Sequence, residues 1–286
     1  MAKLDILVIV NNKIIVFAII GVLFIGTVVT QAMAAPNENA NSKAKEMTVV
    51  SIPENAKKIG DGVYDLGYKV HDGQILQGTL YVFSDKELAK PSDVSGHGAK
   101  SGGGTTCYSY ISNGAKWKSE ENWGVSTDGI PVTGATDILQ TAASQWEIAD
   151  PAGNAIFGSY DSNIVVDASS IGNSVNGVNE VAFGDIASNG VIAATWVWST
   201  SGSPSQRQIV EWDQIYDTKD FSWSNSGESG KMDLQNIATH EIGHAAGMGH
   251  PSNSCTEETM YAYASNGETK KRDLNTGDIA GINKLY

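Results

Sequence analysis

One stretch of the chain restricts its fold and chemistry more than any other, because residues 240–250 fit the pattern H-E-x-x-H-x-x-G-x-x-H without a gap. On a helix, His240 and His244 lie on one face, about 5–6 Å apart, and can reach one metal ion. Gly247 can end the helix with a positive φ, which would bring His250 back as a third ligand. Glu241 is then free to accept a proton from a water in the open fourth position. The pattern predicts a zinc site with its own general base.

The length of the match favours a zinc site over a simpler interpretation, in which the two helical histidines are only structural. A bare His-Glu-x-x-His would also fit an amphipathic helix with two hydrogen-bonded histidines. The added Gly247 and His250 make chance agreement rare, because each specified residue is infrequent in proteins. We therefore favour a metal site over a purely structural histidine pair.

A methionine follows the motif within the stretch Thr-Met-Tyr-Ala-Tyr at residues 259–263. With the three histidines, Met260 makes the chain resemble the metzincin metalloproteases, which carry a methionine turn beneath the metal. The Met-Tyr step and residues 274–286 look most similar to the matrixin branch, which closes with a helix. Ala262 stands where the astacin-like and serralysin-like branches carry tyrosine, so we expect no tyrosine ligand. The resemblance implies a zinc endopeptidase.

The resemblance also implies an α+β fold for residues 107–286, with a twisted mixed sheet, the zinc-binding helix, the Met-turn and a C-terminal helix. The spacing of apolar residues agrees with this fold and predicts a first helix at 133–149. Asp233 is the predicted cap of the zinc helix. Strands are predicted at residues 123–126, 163–167, 180–183, 190–198 and 208–212.

The resemblance further implies where a substrate binds. In the family, an edge strand above the metal pairs with the substrate backbone. Residues 190–198, which include Ala193 and Ala194, are the candidate for this strand. Tyr261 and Tyr263 are the candidates for the wall of the pocket that takes the residue after the scissile bond.

The first 34 residues have the features of a Sec signal peptide. Lys3 and Lys13 precede an apolar run at 14–29, and Ala-Met-Ala at 32–34 resembles a cleavage site. We expect cleavage after Ala34 and therefore an extracellular location. An uncleaved membrane anchor is the alternative, because the residues before Lys13 are also apolar.

Two further segments are expected between the signal peptide and the catalytic domain. Residues 35–90 are predicted to form a small β-rich pro-segment, with a hairpin turn at the Asp-Gly step of residues 72–73. Residues 91–106 are rich in Gly and Ser and include one lysine. We interpret them as an exposed linker that suits proteolytic cutting.

The chain contains two cysteines, Cys107 and Cys255. In an exported protein they are expected to form one disulfide, joining the start of the catalytic domain to the loop after the third histidine. The alternative is that Cys107 caps the zinc as a thiolate in a latent precursor, as in the matrixin cysteine switch. Its Gly-Thr-Thr-Cys-Tyr context lacks the Pro-Arg-Cys-Gly residues of that switch, which favours the disulfide.

The formal net charge of −13 bears on partners. It argues against nucleic acid and anionic membranes, because neither is attracted to an acidic surface. After signal cleavage we expect a monomer without stable membrane association, which acts on protein or peptide substrates.

Ligands for further metal ions are few. His71 and His97 are the only other histidines and both precede the catalytic domain, so we expect no second zinc of the vertebrate matrixin type. Calcium remains an alternative to plain turns, because several residues in loop-like stretches offer oxygen ligands. These residues are Asp161, Asp167, Asn176, Asn179, Glu180 and Asp185.

The sequence thus favours a secreted zinc-dependent endopeptidase, with zinc on the three motif histidines and Glu241 as general base. The alternative is a secreted non-catalytic binding module that keeps zinc only for stability. Such a module has no use for Glu241, and its presence favours the enzyme. We also expect the pro-segment to shield the cleft until the linker is cut.

Overall fold

A computed structural model divides the chain into two units, Met1–Lys45 and Glu46–Tyr286. It describes the backbone of residues 5–10 and 13–18 and, in full, residues 47–85, 106–150, 153, 155–203 and 205–286. The expected cleavage site after Ala34, linker residues 91–105 and His97 lie outside the described residues.

In the first unit, strand β1 (Asp5–Val10) pairs antiparallel with strand β2 (Lys13–Ala18). Both strands fall within the predicted signal peptide. Among the residues that the structure describes, every helix is too short or too polar to cross a bilayer.

The second unit contains thirteen strands and three α-helices in its described part. The strands before the predicted linker are β3 (Val49–Val50), β4 (Lys57–Gly60), β5 (Val63–His71) and β6 (Gln74–Asp85). The strands after it are β7 (Ser109–Tyr110), β8 (Trp123–Val125), β9 (Asn179–Ile186), β10 (Val191–Thr200), β11 (Ile209–Asp217), β12 (Trp223–Ser224), β13 (Met232–Asp233), β14 (Met248–Gly249) and β15 (Tyr263–Ala264). The helices are α1 (Ala135–Ala149), α2 (Leu234–Ala245) and α3 (Thr276–Leu285), and short 3-10 helices span Ile111–Asn113 and Lys270–Arg272.

One mixed sheet of nine strands combines the regions before and after the predicted linker. Its main order is β3-β9-β11-β10-β6-β5-β4, with β8 beside β9 and β15 beside β6. Strand β10 is antiparallel to both β11 and β6, whereas β11 is parallel to β9. The predicted edge strand at 190–198 is therefore an interior strand, because β6 pairs with its outer side.

Local sequence signals explain several element boundaries. Asp72 and Gly73, which join β5 to β6, have φ values of 46° and 75°, as the tight turn of an Asp-Gly hairpin requires. The side chain of Asp233 accepts a hydrogen bond from the backbone N–H of Asn236 at 3.0 Å and caps α2 as predicted. Helix α1 starts two residues later than predicted, since Gly134 before it has a φ of 77°.

Side chains of β10 alternate between two apolar cores, one on each face of the sheet. Ala193 and Val197 belong to the larger core, which the helices cover. Ala194 and Trp196 belong to the smaller core on the opposite face. Helix α1 is tied to α2 by the Trp146 indole, whose Nε1 donates to the Thr239 carbonyl at 2.8 Å.

The predicted strand at 163–167 is wrong. In the structure this run is a loop with a turn at each end. The Asp161 carboxylate accepts the N–H of Asn163 at 2.8 Å, and the Asp167 carboxylate accepts the N–H of Ser169 at 3.0 Å. Such local side-chain hydrogen bonds compete with a strand ladder, and here they prevail.

Candidate active site

The three histidines of the motif converge on one point. Helix α2 carries His240 and His244, and Gly247, with a φ of 104°, turns the chain so that His250 approaches them. Their Nε2 atoms lie 3.1–3.2 Å from one another. Nitrogens bound to one tetrahedral zinc at 2.0–2.1 Å stand about 3.3 Å apart, so the three rings fit this ion. They form the one group of three metal-ligating side chains found among the described residues.

Each imidazole is oriented by a backbone carbonyl that accepts from its Nδ1. The acceptors are Thr259 for His240 at 2.7 Å, Met248 for His244 at 2.8 Å, and Asp61 for His250 at 2.9 Å. Because a carbonyl can only accept, Nδ1 holds the proton and the Nε2 lone pair faces the metal position.

The surroundings keep these rings neutral. Burial lowers the pKa of His250 to about 4, and it lowers the pKa values of His240 and His244 well below the usual range. The positive charge that a neighbouring histidine would carry lowers the latter two further. Neutral imidazole is the form that binds a metal ion, so the site is prepared for one.

Glu241 lies fully buried beside the histidines. Its Oε2 accepts a hydrogen bond from the Thr195 hydroxyl on β10, while its Oε1 has no hydrogen-bond partner among the described residues. Burial raises the pKa of Glu241 to about 8, although the Thr195 hydrogen bond opposes this shift. One oxygen is thus fixed and the other is free to take a proton.

Met260 packs directly beneath α2. A Cβ placed on Gly243, between the two helical ligands, would lie 2.3 Å from the Met260 Sδ, so glycine is needed for this close approach. The turn is held by Asp278 of α3, whose carboxylate accepts the N–H groups of Thr259 and Met260 at 2.7 and 3.2 Å. The methionine therefore supports the ligand helix from below.

The two cysteines form a disulfide, with Cα atoms 5.5 Å apart and a separation of 148 positions in the sequence. Cys107 precedes β7, which pairs with β14 just before His250. Cys255 lies between His250 and Met260. The bond therefore anchors the segment that carries the third ligand, and Cys107 is not a free thiol in this structure.

Strand β6 runs across the histidine site. Phe83 stacks on His240 with ring centroids 3.8 Å apart, and Tyr81 stacks on His244 at 4.1 Å. On one side β6 pairs antiparallel with β10, and on the other it pairs parallel with β15 at Ser84 and Tyr263. The strand fills the space that a peptide laid against β10 would occupy.

Comparison with known proteins identifies the family. A family model described as Matrixin matches residues 113–286. The chain belongs to the matrixin family. It is similar to Metalloendoproteinase 1-MMP of Arabidopsis thaliana, with 48% identity over 56 residues, which are 19% of this chain and 14% of that protein. It is also similar to human (Homo sapiens) matrilysin, with 38% identity over 68 residues, which are 24% of each protein.

The matched segments span far less than two thirds of these relatives' own length. Among solved structures, metalloproteinase-II from Bacteroides fragilis aligns with 83% of this chain and 85% of its own, at 12% identity and a TM-score of 0.31. Family membership implies zinc, and the curated relatives that the chain matches are themselves named as metalloendoproteinases and matrilysins. The predicted α+β, metzincin-like fold is confirmed by the family match and the mixed sheet with its three helices.

The four residues predicted to line the substrate pocket do not all lie on the same side of the sheet. Tyr261 and Tyr263 lie side by side, with ring centroids 5.6 Å apart, and Tyr263 begins β15 beside β6. Ala193 pairs with Phe83 on the helix-covered face. The Ala194 side chain points to the opposite face and packs in the smaller core, because neighbouring residues of a strand alternate.

The oxygen-bearing residues considered for calcium do not form one group. The Glu180 carboxylate accepts hydrogen bonds from the Asp167 N–H, the Ser170 hydroxyl and the Asn176 amide, at 2.7–2.9 Å. Asp185 instead forms an ion pair with Lys219. Asp213, buried near Glu180 on the neighbouring strand, has no hydrogen-bond partner on either side-chain oxygen among the described residues.

Sequence reasoning missed four residues that act at the site: Asp61, Phe83, Thr195 and Asp278. Thr195 stood in a predicted strand, and strand alternation from Ala193 would have placed it on the helix-covered face. Asp278 stood three residues after Asn275, as in a capping box. No local signal marks Asp61 or Phe83, because their contacts with the histidines are made across more than 150 residues.

Proposed function

We propose that this chain is a secreted zinc-dependent endopeptidase that hydrolyses peptide bonds of proteins. The observation that carries the proposal is the convergence of three neutral imidazoles beside a buried carboxylate with one free oxygen. His240, His244 and His250 would hold the zinc. When bound, zinc supplies a Lewis acid that acidifies a water and polarises a carbonyl.

The protein's own residues then move the proton. Glu241 accepts a proton from the attacking water on Oε1 and passes it to the leaving amine. Thr195 keeps Oε2 in place, so that Oε1 faces the water.

We further propose that residues 35–90 form a pro-segment and that residues 91–106 are cut to activate the enzyme. The pairing of β6 with β10 supports this proposal, because a substrate that adds a strand to β10 cannot enter while β6 is present. The stacking of Tyr81 and Phe83 on zinc ligands supports it as well. In this proposal the enzyme is made latent by a covering strand and not by a cysteine thiolate.

Export and processing can be tested together. Sec-dependent secretion predicts an N-terminus at Ala35 for the first exported form. The mature form should begin between residues 91 and 107. N-terminal sequencing of secreted material distinguishes this course from an uncleaved anchor, which would keep the protein with the cells.

The decisive experiment for the enzyme is hydrolysis of casein by zinc-loaded protein, with and without a chelator. The full-length chain is compared before and after limited proteolysis in the linker. Hydrolysis that needs zinc and rises after cutting supports the proposal. A protein that holds zinc and cleaves nothing in either form would instead be the non-catalytic binding module.

Calcium is a second question at the Glu180 loop. The unpartnered oxygens of Asp213 beside Glu180 favour a bound cation, whereas the three hydrogen bonds to Glu180 favour a self-contained loop. Thermal unfolding with Ca²⁺ at increasing concentrations decides between them. A melting temperature independent of Ca²⁺ would leave the loop as plain turns.

A further inference from the structure

The position of Phe83 indicates what a substrate side chain meets in the cleft. This residue is fully buried on β6, with its ring on the face of His240. A substrate strand that replaced β6 between β10 and β15 would place one side chain where Phe83 now lies. Because the neighbouring Ser84 pairs with Tyr263, this position belongs to the pocket that Tyr261 and Tyr263 border.

A buried ammonium group stands beside this position. The Lys271 Nζ lies 5.7 Å from the centroid of the Phe83 ring and equally far from that of Tyr261. The Lys271 side chain is 0% exposed, and lysine is fully buried in proteins almost only when it is paired, here with Glu268. The pairing keeps the ammonium group buried beside the ring.

Lys271 is held firmly from three directions. Its backbone N–H donates to the Asn236 side chain on α2 at 2.8 Å. Its Nζ donates to the Tyr263 carbonyl at 3.1 Å and forms an ion pair with Glu268. These two bonds use two of the three N–H donors of the ammonium. The charge is therefore fixed in position, with limited hydration, next to the ring.

We propose that Lys271 determines specificity by selecting an aromatic side chain in the residue after the scissile bond. The negative face of an aromatic ring attracts a nearby cation, and the attraction is strongest where water is excluded. A saturated side chain of the same size gains only its apolar burial. This inference rests on the proposed peptidase function.

The test compares two peptides that differ only at that position, one with phenylalanine and one with cyclohexylalanine. The two side chains have the same carbon skeleton and a similar size, and only phenylalanine has a π-face. Zinc-loaded full-length chain, cut in the linker, should show a kcat/KM for the phenylalanine peptide higher by about threefold to tenfold. Lys271→Met should remove the preference, whereas Lys270→Met, which changes the exposed neighbour, should retain it.

A second measurement needs no catalysis. In the uncut chain, urea unfolding of Phe83→Leu, Lys271→Met and the double variant gives the coupling between ring and ammonium. The unfolding constants should deviate from additivity by about threefold or more.

The outcomes separate the two proposals. Equal kcat/KM values for the two peptides in the unmodified chain overturn the role of Lys271 even if Lys271→Met fails to fold. Additive unfolding effects overturn it as well. If neither peptide is hydrolysed but the unfolding free energies of the Phe83 and Lys271 variants are coupled, the proposed peptidase function is refuted. The proposed substrate specificity then fails with it, whereas the contact between Lys271 and the Phe83 ring remains supported.

Discussion

Replacing Phe83 with alanine should uncover the zinc site without cutting the chain. The ring is fully buried against His240, and it would become exposed to water if β6 left the cleft. Truncating a buried phenylalanine to alanine costs about 3–5 kcal/mol. This loss destabilises only the covered state, in which β6 lies in the cleft. In the uncovered state, in which β6 has left the cleft, the side chain at position 83 is solvated in both proteins.

The size of the effect follows from this difference. Since about 1.4 kcal/mol corresponds to a factor of ten, the uncovered population should rise by about 100-fold to a few thousand-fold. Relaxation of the surrounding side chains reduces the value, so we treat this range as an upper bound. The rate of peptide hydrolysis by uncut, zinc-loaded chain should rise in proportion until most molecules are uncovered.

The assay measures this rate together with amide hydrogen exchange in β6. Tyr68→Ala is the matched control, because Tyr68 is an aromatic residue of the same hairpin but is 65% exposed. It should change neither quantity. A Phe83→Ala chain whose β6 amides exchange faster while its hydrolysis stays at the original rate would refute the reasoning, since β6 would then not be the barrier to substrate.

Four further predictions concern the site and its supports. Glu241→Gln should retain stoichiometric zinc, measured by atomic absorption, and lose most hydrolysis, because no ligand is removed but the base is; near-normal rates would contradict the mechanism. Thr195→Val should lower kcat by about tenfold or more at unchanged KM, since a hydrogen bond to a charged group contributes about 1.5–3 kcal/mol. Thr195→Ser keeps the hydroxyl and should therefore retain the original kcat. Replacing Cys107 and Cys255 with serine should lower the free energy of unfolding in urea by about 5 kcal/mol for a loop of this length, and an unchanged midpoint would count against the bond. Protein from Cys107 to Tyr286 should bind zinc about 10-fold to 100-fold more weakly than the full chain in chelator competition, because the carbonyl that orients His250 is lost with Asp61. Equal zinc affinities would show that water fully replaces this carbonyl.

The parts of the fold that could be predicted are those specified by neighbouring residues. The ligand spacing on α2, the cap at Asp233 and the turn at Asp72 and Gly73 each depend on a few consecutive positions. The pairing of Cys107 with Cys255 could be predicted for a different reason, because a chain with two cysteines can form only one intramolecular disulfide if it is exported.

The parts that could not be predicted depend on contacts between distant residues. Any apolar strand of suitable length could have covered β10, and nothing near Phe83 marks it as the partner of His240. The run at 163–167 shows the opposite error, because its β-branched residues suited a strand while Asp161 and Asp167 turned the chain at both ends. Strand propensity is too weak to decide such a competition.

The covering segment also completes the site that it covers. Thr259 and Met248 orient two of the histidines from within the matrixin region, but His250 receives its Nδ1 acceptor from Asp61 of the N-terminal segment. Cutting the linker breaks none of these contacts, nor the ladder between β6 and β10. What the cut removes is the tether, which holds the segment near the cleft at an effective concentration on the order of millimolar. Activation on this view requires dissociation or digestion of β6 after the cut, and the strength of its contacts with the ligand rings sets how slowly that happens.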